Sequence, residues 1–349
     1  QIRIRMNFYH LRMNIRTAVL CLLLLALLAN AAGAFSENKK AHADKANVSI
    51  APVKVQWMGQ IESRRLNESS GLAVSNFYED ILWSINDSGS DAELFALTVG
   101  GEHVGRWPID LPKPSDWEAM DSFHWRGKNY LLIADIGDNF AMRDFVSYII
   151  LQEPDVKTLA DSAVLQPLVS QHFVYPGGPR DSEAIAVDPL REQILVLSKR
   201  TKPPELYRLP LSSIESHEVH PQAAPAEPIT ASYVASLEGF AAPEIAEVDF
   251  YGGIWEYLGM PTGMSIANNR LLVTTLEHAY LFNLDALEAP PVRVMLPFAG
   301  QREAIAFAKD RDDQAYVSHE RRYGLRSADI YRLTLSPIKD DQPPSNEMR

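Results

Sequence analysis

The sequence repeats itself, and that repeat limits the available folds more than any other feature. Arg180-Asp-Ser-Glu-Ala-Ile-Ala-Val-Asp-Pro189 opens an apolar strand at Glu183 and closes it at Asp188-Pro189. Apolar runs at Ile194 to Leu197 and Glu205 to Leu209 follow. Trp117-Glu118-Ala119-Met120 begins the same series, continued by Tyr130 to Ala134 and Tyr148 to Leu151. Gln301-Arg302-Glu303-Ala304-Ile305-Ala306-Phe307 begins it again, continued by Ala315 to Ser318 and Ile330 to Leu333. Looser copies start at Ser70-Gly71-Leu72 and Thr262-Gly263-Met264. Short strands divided by turn residues, in units of roughly forty residues, predict an all-β chain folded as a β-propeller of four-stranded blades. A β-sandwich of unequal hairpins is the alternative, but it leaves the repeated openings unexplained.

Blade number follows less directly. Five openings are visible, so the expectation is five or six blades, with six preferred if residues 215 to 258 supply one without the signature. Ala242 to Leu258 reads equally as a divergent blade or as an insertion carrying Phe250, Tyr251, Trp255 and Tyr257. Val53 to Trp57 alternates at period two and precedes the first repeat, so it is placed to pair with the last repeat and close the ring. No long apolar stripe of helical period follows the N-terminal region, and no GxGxxG, Walker A, HExxH or GxSxG pattern occurs.

The N-terminus reads as a leader. Met13-Asn14-Ile15-Arg16 offers a start, Ala18 to Ala29 is an apolar run short for a membrane span, and Ala32-Gly33-Ala34 has the small-x-small form of a processing site. The expected organisation is a leader with a secretory signal over 1–34, a flexible linker over 35–50, one propeller domain over 51–336 and a polar tail over 337–349. A retained anchor helix is the competing reading of the leader. The single cysteine, Cys21, lies inside the apolar run, so a processed chain holds no disulfide. Processing also removes Arg3, Arg5, Arg12 and Arg16, leaving 29 basic against 45 acidic side chains, a net of −16. That excess disfavours nucleic acid, whose phosphates demand a basic face. It suits cations or a basic partner in an exported, periplasmic or extracellular protein without a stable span.

In a propeller the first strand of each blade lines the central channel, and its start lies at the same end as the finish of the second strand. This brings Ser70, Asp116 with Glu118, Asp181 with Glu183, Thr262, and Arg302 with Glu303 to one mouth. Asn86 with Asp87, Asp138 with Asn139, Lys199 with Arg200, Glu277 with His278, and His319 with Glu320 join them. Glu118, Glu183, Asn139 and Asn86 are oxygen donors of the kind calcium takes. A cation would relieve the repulsion among glutamates crowded in a narrow mouth. The bland reading of the repeated glutamates is a brace between blades. His319 and His278 are candidate proton carriers near neutral pH. Lys199, Arg200, Arg302, Asp138 and Glu303 are candidate ligand contacts, with ordinary ion pairing as the alternative for the cations. Asp135-Ile-Gly-Asp-Asn139 has calcium-loop composition, against the reading of a tight turn.

Ile85-Asn-Asp-Ser-Gly89, Asp116-Trp-Glu118, Ile133-Ala-Asp-Ile-Gly-Asp-Asn139 and Tyr175-Pro-Gly-Gly-Pro-Arg-Asp-Ser-Glu-Ala184 resemble segments of uncharacterised bacterial exported β-propeller proteins, over about Val53 to Leu333. The chain is more remotely similar to calcium-dependent propeller lactonases and propeller phytases. The lactonase resemblance implies a channel cation held by residues such as Glu118, Asn139 and Glu183. The phytases use denser acidic clusters than this chain has. Two functions follow as expectations: an exported module that binds a small ligand, a polymer or an extracytoplasmic protein at the mouth, or a calcium-assisted hydrolase acting on an ester, lactone or phosphoester. A third places the contact surface on Phe250 to Tyr257.

Overall fold

The computed structural model describes residues 48–211, 227–241, 258–296, 302–319 and 328–335, all in one compact unit that begins at Val48. The leader over 1–34, nearly all of the expected linker, the aromatic stretch Phe250 to Tyr257 and the tail over 337–349 lie outside the described residues.

The chain first lays down two strands on blades completed later, β1 (Ile50–Ala51) and β2 (Val53–Gln60). The first complete blade is β3 (Ser69–Val74), β4 (Ile81–Asn86), β5 (Glu93–Thr98) and β6 (His103–Pro108). The second is β7 (Trp117–Trp125), β8 (Lys128–Asp135), β9 (Val146–Gln152) and β10 (Val169–Val174). The third holds β11 (Ser182–Asp188), β12 (Gln193–Ser198) and β13 (Glu205–Pro210). After β14 (Ile229–Thr230), the third blade receives its outer strand β15 (Ser232–Ser236). The fourth is β16 (Pro261–Ala267), β17 (Arg270–Thr275), β18 (His278–Asn283) and β19 (Val292–Met295). The fifth is β20 (Arg302–Phe307), β21 (Gln314–His319) and β22 (Asp329–Leu335).

Within each blade these strands pair antiparallel. The innermost strands adjoin in the order β3, β7, β11, β16, β20, and β20 meets β3 again. The molecule is therefore a five-bladed propeller.

The count of five falls within the sequence expectation, and the preference for six is corrected. Residues 229–236 extend existing blades instead of building another. β14 runs parallel to β10 on the edge of the second blade, and β15 pairs with β13 of the third. The N-terminal strand closes the ring as expected: β2 pairs antiparallel with β22, Val55 opposite Leu333. Just before it, β1 runs parallel to β19 of the fourth blade. Each crossing covers an outer edge that would otherwise show unpaired backbone groups.

The core lies between blades. Five apolar clusters each join two neighbours. Trp83, Leu94 and Trp107 of the first blade meet Met120, Ile133 and Leu151 of the second. Leu132, Tyr148 and Phe173 meet Val196, Tyr207 and Leu209 of the third. The other three clusters join the third blade to the fourth, the fourth to the fifth, and the fifth to the first. A middle strand thus buries both faces, which is why the runs are continuously apolar and do not alternate. Hydroxyls and carboxylates tie blades at their backbones. Ser265 Oγ accepts from Phe307 N–H at 3.0 Å, and Asp121 Oδ2 accepts from Val187 N–H at 2.8 Å. Among the described residues no helix is long and apolar enough to cross a membrane.

Candidate functional site

Every first strand carries a β-bulge at its second residue. The ladder skips from Ser69 to Gly71, Trp117 to Ala119, Ser182 to Ala184, Pro261 to Gly263 and Arg302 to Ala304. The unpaired residues are Ser70, Glu118, Glu183, Thr262 and Glu303, one per blade. A bulge inserts one residue and re-aims its side chain, so a repeated bulge sets five side chains at one mouth of the channel. Two of them brace the next blade: Ser70 Oγ donates to Trp117 O at 3.2 Å and Thr262 Oγ1 to Arg302 O at 2.7 Å. Glu183 instead receives Lys199 Nζ. Glu118, 5 % exposed, receives no hydrogen bond from any described residue.

Glu118 faces two further carboxylates. Asp87 comes from the turn after β4 and Asp116 from the residue before β7. With Glu118, one carboxylate oxygen of each lies within 4.8 Å of the others. Gly137, just beyond β8, makes the convergence possible. A Cβ there would stand 2.2 Å from Asp116 Oδ2 and 2.6 Å from Glu118 Oε1. Gly137 N–H also donates to Asp116 O at 3.3 Å.

The electrostatics show a group of acids short of positive charge. Burial, then Asp87 and Asp135, push the Asp116 carboxyl up to about 6, against the pull of Ser88 and Arg143. Burial, then Glu183, Asp87 and Asp116, raise Glu118 well above the usual carboxylate range, with Lys199 opposing. Burial raises Asp87, partly offset by the Ser88 N–H and Lys199. Burial also raises Glu183 against the nearby Lys199, and Glu303 and Asp181 add to the rise. Burial works against the Lys199 ammonium, but Glu183, then Glu303 and Glu118, outweigh it and hold its proton more tightly. One ammonium thus serves several acids, and Glu118 has no donor. Three hard oxygen donors gathered this closely could coordinate a metal ion.

The other expected site residues are distributed as follows. Asn86 is buried: its Oδ1 accepts from Asn67 and Glu68 N–H at 3.1 and 3.2 Å, and its Nδ2 donates to Arg65 O at 2.7 Å. Its amide is engaged in holding the 65–68 segment. Asn139 receives Arg200 Nη2, while Arg200 Nε donates to Asp181 Oδ2 at 2.5 Å. Asp138 shapes its own turn, accepting from Met142 and Arg143 N–H at 2.9 Å each, and its N–H donates to Asp181 Oδ1. Lys199 and Arg200 are thus ion-paired with Glu183 and Asp181. Arg302 is 2 % exposed and its Nη1 donates to the carbonyls of Leu276 and Glu277 at 2.8 and 2.7 Å. Glu303 occupies the fifth bulge, half-buried.

The two histidines belong to blades four and five, whereas the carboxylate trio is built from blades one and two. His278 opens β18, not the end of the second strand, and lies edge-on to Tyr280. His319 ends β21, opposite Arg302 in the ladder, with its ring 5.1 Å from that of Tyr331. Asp87 and Asp116 were legible as mouth residues but not as partners of Glu118. The one available signal was nearness in sequence: Asp87 follows Asn86, and Asp116 stands two residues before Glu118.

No family model matches the sequence, and no curated relative does. Similar solved structures are propellers. A luciferin-regenerating enzyme is 10 % identical, with 82 % of this chain and 97 % of that one covered at a TM-score of 0.42. The PQQ-bound aldose sugar dehydrogenase of Streptomyces coelicolor is 12 % identical, covering 83 % and 100 % at 0.41. The WD40 repeats of RRP9 are 10 % identical, covering 77 % and 80 % at 0.40. At such distances no ligand or reaction passes from them to this chain.

Proposed function

We propose that this protein is an exported β-propeller that binds a divalent cation, calcium by its donor set, at the channel mouth through Asp87, Asp116 and Glu118, and presents it there to a ligand. One observation carries the reading: Glu118 is buried without a hydrogen-bond donor among the described residues and converges with two other carboxylates at ion-ligand spacing. A carboxylate held this deep without a donor loses much of its hydration, and a dication offsets that cost. Asp87 and Asp116 are only half-buried, which leaves the site open to the mouth. Calcium takes about six to eight oxygens, so three side chains leave positions for ligand oxygens or water. Export rests on the leader-like run Ala18 to Ala29 and the motif Ala32-Gly33-Ala34. A calcium-assisted hydrolase would need this ion first, so the loaded protein is the form for ester and phosphoester screens.

The test is calcium titration by calorimetry, with thermal melting in calcium and in chelator. Wild type should bind one calcium and melt higher with it. Glu118→Gln and Asp116→Asn should each lose both effects while folding in chelator. Absence of heat and of any melting shift in wild type would end the cation reading, and the acids would then stand as partly protonated braces.

A further inference from the structure

The two most exposed large apolar side chains among the described residues sit on one turn beside the carboxylate trio. Phe140 is 83 % and Met142 79 % exposed. Their turn is held from several sides. Ala141 N–H closes it on Asp138 O at 2.7 Å, and Asp138 takes the N–H groups of Met142 and Arg143. Arg143 donates to Gly137 O at 2.7 Å and pairs with Asp135 at 2.6 Å. The third blade adds Asp181 and Arg200. Ala141 has a φ of 50°, which a non-glycine residue adopts only when its surroundings impose it. Turn tips ordinarily carry small polar residues. Here a braced turn holds a phenyl ring and a thioether out in water.

Three features indicate what covers them. First, the pair protrudes and forms no concave wall, whereas small-ligand sites enclose most of their ligand. Second, the N–H groups of residues 141, 142 and 143 are all taken up inside the turn. A tip lowered into a lipid surface meets fewer waters that could pair these groups, while a peptide-docking strand leaves them for its partner. Third, Phe140 follows Gly137 by three residues, at most about 11 Å of chain, and Gly137 packs against the carboxylates of Asp116 and Glu118. The apolar tip and the ion site therefore lie within reach of one surface.

We infer that the 138–143 turn is a membrane anchor: Phe140 and Met142 enter the interfacial layer of a lipid bilayer while the cation at Asp87, Asp116 and Glu118 bridges to lipid phosphate. The inference rests on the proposed cation site. The chain carries a net charge of −12, which repels an anionic surface unless a cation intervenes. Two apolar side chains alone give weak, reversible attachment, so both signals are needed together.

The experiment is co-sedimentation with phosphatidylglycerol and with phosphatidylcholine vesicles, in calcium and in chelator, beside calcium calorimetry in solution. Wild type should sediment with phosphatidylglycerol in calcium and be released by chelator. Phe140→Ser/Met142→Ser should keep its melting temperature and its calcium heat yet lose about a hundredfold in vesicle affinity. Wild type that binds calcium but ignores vesicles overturns the anchor and leaves the cation site standing. Vesicle binding that persists equally in chelator overturns the calcium bridge, and a double variant that sediments like wild type overturns the role of the turn. A chain that shows no calcium heat fails at the cation site itself.

Discussion

Gly137→Ala tests the site by its shape, without replacing a ligand residue. The added Cβ would lie 2.2 Å from Asp116 Oδ2 and 2.6 Å from Glu118 Oε1. Carbon–oxygen contact begins a little above 3 Å, so the Asp116 oxygen must retreat by about 1 Å. Moving one carboxylate from about 2.4 to about 3.4 Å from a doubly charged ion, at an effective dielectric of about 20, forfeits about 4 kcal/mol. Rotation of Asp116 recovers part of this, so calcium affinity should fall between about tenfold and a thousandfold. The backbone at Gly137 needs no positive φ, so alanine adds no backbone strain. The assay is calorimetric titration of wild type and Gly137→Ala, with melting in chelator to show that the variant folds. The apo melting temperature should change little, since the added methyl group moves like charges apart. Wild-type calcium affinity in Gly137→Ala would refute the placement of the ion among these carboxylates.

The mouth acids also set a pH dependence. Asp87, Asp116, Glu118 and Glu183 all have raised folded values, so the native state without calcium binds more protons than the unfolded chain. Their stabilisation is complete below the ordinary carboxylate range and is lost as pH rises through the raised values. For Asp116, between 3.8 and about 6, the loss is about 1–2 kcal/mol after solvent screening. The melting temperature in chelator should therefore fall from about pH 5 to pH 8, and the gain on adding calcium should grow over the same range; a calcium gain independent of pH contradicts this. At the opposite end of the channel, Glu153 accepts from Ser75 Oγ at 2.6 Å, Trp83 Nε1 at 2.9 Å and the backbone and side chain of Asn76, joining the first two blades. Glu153→Ala should cost about 3–5 kcal/mol in denaturant unfolding, because it strands buried donors, and leave calcium affinity unchanged. A loss below about 1 kcal/mol would mean that water replaces the carboxylate.

The sequence alone determined the blade. Repeated openings at Ser70, Glu118, Glu183, Thr262 and Glu303, followed by apolar runs bounded by turns, admit little besides a propeller. The closing role of Val53 to Trp57 was legible from its position ahead of the first repeat. The gathering of acids at one mouth was legible too, because antiparallel strands return their ends to the same side. Tertiary structure decided the rest. Blade number depended on where residues 229–236 pair, and an edge strand reads alike whether it starts a blade or finishes one. The bulges were invisible because a skipped residue leaves the apolar pattern on either side intact. That single skipped residue aims Glu118 into the channel. Asn86 and Asp87 are neighbours in sequence, yet the chain turns between them, so one anchors the 65–68 segment and the other faces Glu118. Asp87 and Asp116 come from different blades, and their approach to Glu118 depends on how the first blade packs against the second and on the missing side chain at Gly137. Strand pattern is local and is written residue by residue, whereas a site shared between two blades exists only once their packing has set the distances.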